Sequence, residues 1–170
     1  MPVEHRNSSP HSHIWANDKK SRLYVKVVST PTPEAANQVR QKIEAELDRM
    51  HALKTGCMID TVYELDEAAE KMPEPALMTF VRNTVEVFAS RPYMAVWLVT
   101  NYRSLLWVQL MIFMPQLKRQ LKGLFPDREE ADLTIDRIRG FTELRESTPT
   151  CSPVMANLHE EAGEIHGPNP

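Results

Sequence analysis

Apolar residues recur along this chain with two different periods, and the alternation between them sets out the fold. In RLYVKVVS, Leu23, Val25 and Val27 share one face and Tyr24 and Lys26 the other, the two-residue repeat of a strand. HSHIWA just before it is a second strand, and ANDKKS between them supplies turn residues, so residues 11–29 predict a hairpin. The period then changes. Val39, Ile43, Leu47 and Met50 fall on one side of a helix, with charges opposite. Thr32 is placed to cap its free N–H groups and Pro33 suits its first turn, where a missing N–H costs nothing. Thr55-Gly56 ends it, and Cys57 to Asp60, with Val62 as the furthest extent, predicts a short strand. Residues 61–74 are acidic and tolerate helix, ending at Pro73 and Pro75. A helix follows from about Ala76 to Ser90, with Leu77, Val81, Val85 and Phe88 as its main stripe, widened by Phe80 and Val87.

The stretch from Arg91 to Phe125 is the most apolar. Tyr93 to Thr100 predicts a buried strand, and Asn101 a tight turn. Tyr102 to Met114 predicts a helix stopped by Pro115. Arg119 to Phe125 predicts an edge strand, where Lys118, Arg119 and Lys122 discourage stray pairing. Asp127 then caps a last helix, with Glu130 three residues on as in a capping box. Ala131, Ile135 and Ile138 are expected to face inward, and Gly140 to end the helix. Residues 1–10 and 143–170 read as disordered tails, the second acidic and rich in Ser, Thr, Pro and Gly. The expected fold is α/β in the order ββαβαβαβα. Its sheet is mostly parallel because strands separated by helices need crossovers, and the opening hairpin adds one antiparallel pair.

Composition changes this picture in three places. The chain has 170 residues, 42% of them hydrophobic, enough for one domain with a real core. Its net charge of −3 argues against a nucleic-acid footprint, which is normally basic and clustered. Its two cysteines, Cys57 and Cys151, lack metal-ligand spacing; they are able to pair, but a strand and a polar tail make a reduced, cytoplasmic setting the better expectation. The start, MPVEHRNSSPHSH, has no apolar core of a signal peptide. No transmembrane segment is expected: the one candidate, Ala95 to Leu117, contains Asn101, Arg103 and Gln109, and its apolar runs are shorter than the about 20 residues a bilayer needs.

The opening hairpin, the strand ending in Asp60, the strand MAVWLVT and the piece Phe125-Pro-Asp-Arg-Glu-Glu-Ala131 together resemble a STAS domain. More narrowly they resemble the SpoIIAA-like (STAS-like) family, over about residues 11–142. The resemblance implies a fold shared with the CRAL-TRIO lipid-binding domains and a role in regulation through protein contact. Anti-sigma factor antagonists of this fold carry an Asp-Ser pair beyond that strand, whose serine a partner kinase phosphorylates. Here the stretch after Asp60 is TVYELDEAAEKMPEP, which has no serine and whose only threonine, Thr61, directly follows the aspartate. The phosphoryl switch is therefore not carried over.

Two groups of residues are candidates for function. In LLWVQLMIFM, Leu105 to Met114, only Gln109 is polar, so the helix has more apolar surface than one sheet face covers. The rest needs flanking helices, a second subunit, an apolar ligand or a membrane surface. Tyr102, Leu106, Trp107, Leu110 and Phe113 are the expected contact residues. Asp60, Thr61, Asn101 and Arg103 form the second group, a polar cluster at a strand end where open α/β sheets bind ligands. Turn and cap chemistry is the default role of such residues and explains them without a ligand. His5, His11 and His13 lie near the start, His159 and His166 in the tail and His51 on the first helix, and none brings the ligand set of a zinc site. No Ser-His-Asp order, Gly-rich phosphate loop or paired-carboxylate motif is present, so no catalytic residue, metal or cofactor is assigned. The expected function is a non-catalytic interaction module with a protein partner or as a homodimer. A carrier of an apolar small ligand, as in the CRAL-TRIO branch, is the alternative, and an enzyme built on Asp60 a weaker one.

Overall fold

The computed structural model describes residues 7–65, 72–100 and 119–141. A six-stranded sheet carries the chain in sequential order: β1 (Asn7–Ser8), β2 (Ser12–Asn17), β3 (Arg22–Val27), β4 (Ile59–Leu65), β5 (Met94–Val99) and β6 (Leu121–Phe125). β1, β2 and β3 pair antiparallel, and β3 through β6 pair parallel. The helices are α1 (Pro33–Leu53), α2 (Glu74–Ala89) and α3 (Arg128–Arg139). The expected α/β class, the hairpin and the mostly parallel sheet are all present. The helix expected over Tyr102 to Met114 and the tail from residue 143 lie outside the described residues.

Each face of the sheet has its own core. On one face Ile14, Leu23, Val25, Val27, Ile59, Met94, Val96 and Leu98 pack with Val39, Ile43 and Leu47 of α1 and with Phe80, Val87 and Phe88 of α2. On the other, Tyr24, Val62, Trp97 and Val99 pack with Ala131 and Ile135 of α3, edged by Trp15 and Phe125. Burial on both faces explains why MAVWLV of β5 is apolar throughout rather than alternating.

Local chemistry sets the helix ends as expected. The Thr32 hydroxyl accepts from the Ala35 N–H at 3.1 Å, and the Asp127 carboxylate from the Glu130 N–H at 2.8 Å. Gly140, at φ 74°, closes α3 in the left-handed conformation. There the Phe141 N–H reaches the Asp136 carbonyl and the Gly140 N–H the Arg137 carbonyl, a Schellman arrangement.

Four expectations need correction. Asn7–Ser8 pairs with Ile14 and His13, so part of the stretch read as a disordered tail joins the sheet edge. β4 runs on to Leu65, because Thr61, Val62 and Tyr63 favour a strand more than the acids beyond them favour helix. In α2 the fully buried line is Ala76, Phe80, Asn83, Thr84, Val87 and Phe88, with Leu77 and Val81 only partly buried. The helix is turned towards α1, where Asn83 donates to Asn37 at 2.9 Å and Arg40 reaches Asn83 and Glu86. Ile138, expected inside, is 58% exposed.

Leu47 is fully buried while Leu53, at the end of the same helix, is 60% exposed. Leu47→Ala is therefore expected to lower the unfolding free energy by about 2–5 kcal/mol. Leu53→Ala should change it by less than about 0.5 kcal/mol. Urea denaturation followed by circular dichroism measures both.

Candidate functional site

The polar residues that the fold gathers lie between the sheet and α3. Arg22 opens β3 and Asp60 is the second residue of β4, and their Cα positions are partners in the parallel ladder. Both side chains point to the α3 face and both are buried, at 1% and 2% exposure. Yet they do not satisfy each other. Arg22 Nη1 donates to Asp132 at 2.8 Å and Nη2 to Asp136 at 2.7 Å. Asp60 takes Arg139 instead: Nη2 to Oδ1 at 2.7 Å and Nε to Oδ2 at 2.9 Å, while Trp97 Nε1 donates to Oδ1 at 2.9 Å. Lys20 Nζ adds a pair to Asp136 at 2.8 Å, and the Tyr24 hydroxyl donates to Asp132 at 2.7 Å.

Helix geometry makes this possible. Asp132 and Asp136 are four residues apart and Arg139 three further, so all three lie along one side of α3. The cluster of Lys20, Arg22, Arg139, Asp60, Asp132 and Asp136 balances three positive charges with three negative. A buried charge persists only when it is paired and hydrogen-bonded, and both buried members meet that condition. Arg22 Nε is the exception, buried without a partner. The hydrogen bonds to Asp60 hold the Arg139 guanidinium above its ordinary pKa. Burial pushes the Tyr24 phenol above its usual value; Arg22 opposes this and the Asp132 carboxylate reinforces it. Burial does the same to Tyr63.

The sequence pattern puts Asp60 at the carboxyl end of its strand with Thr61, Asn101 and Arg103 at the same sheet end. The structure corrects this. Asp60 sits near the amino end of β4 because the strand continues five residues past it. Thr61, next in the chain, points to the opposite face, where its buried hydroxyl has no hydrogen-bond partner. Asp60 and Thr61 are therefore not brought together. Asn101 and Arg103 lie outside the described residues, as do Tyr102, Leu106, Trp107, Leu110 and Phe113. Among the described residues no three His, Cys, Asp or Glu side chains are grouped to hold a metal, and no helix is long and apolar enough to cross a membrane. Cys57 is buried and disulfide-bonded, against the expectation of reduced thiols, so cysteine usage gives no support to a reducing compartment. The chain's other cysteine, Cys151, lies outside the described residues.

Reading the sequence for turn chemistry missed Arg22, Asp132, Asp136 and Arg139. Two acids four apart, followed by an arginine on the same side as Ala131 and Ile135, were the available signal.

No protein-family model matches the chain, and no curated protein or solved structure matches it either.

Asp60→Ala removes the acceptor of Trp97 and the partner of Arg139, and is expected to cost about 3–5 kcal/mol of stability. Adding Arg139→Met to that variant should cost little more, since no buried charge is then left unpaired. Urea unfolding of the two single variants and the double variant checks both statements. Tyr24 and Tyr63 carry a separate expectation. Their folded-state pKa values are raised, so the unfolded chain gives up these protons first as pH rises past about 10. Their contribution to stability is complete below that pH and is lost above it. Tyrosinate absorbance should rise for these two of the four tyrosines only as the protein unfolds.

Proposed function

We propose that the chain is a non-catalytic, STAS-like interaction module that works by binding a protein partner or a second copy of itself. The observation that supports this reading is the state of Asp60. Both of its carboxylate oxygens are engaged by Trp97 and Arg139. A ligand at Asp60 would have to enter a buried site and compete with those donors, and leaving one of them unpaired there costs about 1–3 kcal/mol. The carboxylate that best suited chemistry is thereby committed to holding the fold. The remaining candidates are the apolar side chains Tyr102, Leu106, Trp107, Leu110 and Phe113, whose composition suits burial against another surface.

Light scattering should give a mass above the 19.5 kDa of one chain, and Leu106→Glu or Phe113→Glu should return it to that value with circular dichroism unchanged. Unchanged mass in folded variants removes self-association through this segment. An apolar molecule retained by the purified protein in native mass spectrometry replaces the interaction reading with ligand carriage.

A further inference from the structure

We propose that α3 is a releasable cover over an aromatic sheet face, held in place chiefly by charge. This inference rests on the contacts of α3 alone and stands apart from the function proposed above.

The three helices α1, α2 and α3 of the described residues are anchored differently. α1 buries Ala35, Ala36, Val39, Ile43, Leu47 and Met50. α2 buries Ala76, Phe80, Asn83, Thr84, Val87 and Phe88. α3 buries only Ala131 and Ile135, and leaves its two other large apolar residues, Leu133 and Ile138, 61% and 58% exposed. Its other attachments among the described residues include Asp132 to Arg22 and Tyr24, Asp136 to Arg22 and Lys20, Arg139 to Asp60, and the Arg128 guanidinium 5.2 Å from the Trp15 ring centre.

Charge pairs of this kind respond to conditions that leave an apolar core unchanged. The side chains of Asp132, Asp136 and Lys20 retain 30%, 22% and 28% of their exposure, so dissolved ions reach them. Losing one partner strands the other in a dry site, but lifting the whole helix returns both partners to water together. The cost of an uncompensated buried charge does not then arise. An isolated helix of twelve residues is marginal in water, so α3 once lifted loses its own hydrogen bonds. The other core, with α1 and α2, has no residue from α3 and stays assembled.

Release uncovers the stacked Trp15 and Tyr24 rings, 5.1 Å apart, together with Trp97 and Phe125. Such a patch has the aromatic enrichment of a protein-binding surface.

Hydrogen–deuterium exchange of the full chain, read by mass spectrometry, tests this. Amides of Asp132 to Arg139 should exchange at least about tenfold faster than those of Val39 to Met50 under native conditions, as a separately opening unit does. Sodium chloride at about 1 M shrinks the screening length to about 3 Å and should speed exchange in α3 while leaving α1 unchanged. Asp132→Asn keeps the side-chain shape, removes the charge facing Arg22, and should act in the same direction without salt. Equal protection of α3 and α1, changing in step, overturns the proposal. So does fast exchange in α3 that neither salt nor Asp132→Asn alters, because the helix would then open without regard to charge. Should the variant fail to fold, the salt series on the unaltered protein decides between these outcomes.

Discussion

Two opposite charges stand side by side on neighbouring strands, and the placement of α3 depends on how they are satisfied. Arg22 and Asp60 are ladder partners on one sheet face. Left to each other they would make a single pair and leave most of their hydrogen-bonding capacity empty. Arg22 has five N–H donors and Asp60 room for several more hydrogens. The helix resolves this by supplying two acids to the arginine and one arginine to the acid. Three fixed points along α3 then set its height, its direction and its rotation at once. A hydrophobic contact alone is non-directional and would fix these far less sharply. Replacing such a cluster with apolar residues often leaves stability unchanged or raises it, so its clearest contribution here is to the position of the helix.

The rotation explains the odd placing of Ile138. At about 100° per residue, the apolar positions Ala131, Ile135 and Ile138 share a narrow arc that would face the sheet if grease alone decided. The charges at Asp132, Asp136 and Arg139 occupy a neighbouring arc, turned by roughly 100° on the same geometry. In the structure α3 settles between them, burying Ala131 and Ile135, keeping its charges on Arg22 and Asp60, and turning Ile138 out to 58% exposure. On the opposite sheet face no such compromise is needed. There α1 and α2 pack apolar stripes on an apolar surface; the tie from Asn83 to Asn37 runs between the helices, while Arg49 of α1 reaches Asp18 in the turn between β2 and β3.

This contrast also says what the sequence made legible. Elements governed by one strong period were readable: the alternation of Leu23, Val25 and Val27, the stripe of Val39, Ile43 and Leu47, the continuous run of β5, and the caps at Thr32 and Asp127. Elements governed by long-range partners were not. Lys20 and Arg22 look like turn and surface charges until Asp132 and Asp136, more than a hundred residues on, are brought to them. Asp60 looks like the last residue of a strand because an aspartate inside one is costly. Its donors, Trp97 and Arg139, lie 37 and 79 residues further along the chain. Asn7–Ser8 forms a two-residue strand that no periodicity can announce.

The same accounting bears on where activity belongs in this fold. A polar cluster invites a chemical reading when it holds spare acceptors, spare donors or an excess of one charge. Here the charges balance, and the carboxylate with the best claim has both oxygens engaged. Within the cluster, Arg22 Nε is a buried donor left over, and its guanidinium is already fixed by two acids from α3. At the two buried members, Arg22 and Asp60, a ligand would have to compete with partners already in place in a dry site. The cluster does not resist the movement of α3 as a unit, which breaks its contacts to the sheet together and gives both sides to water. Recognition by exposure of a surface is therefore easier to reconcile with this cluster than reaction at a point within it.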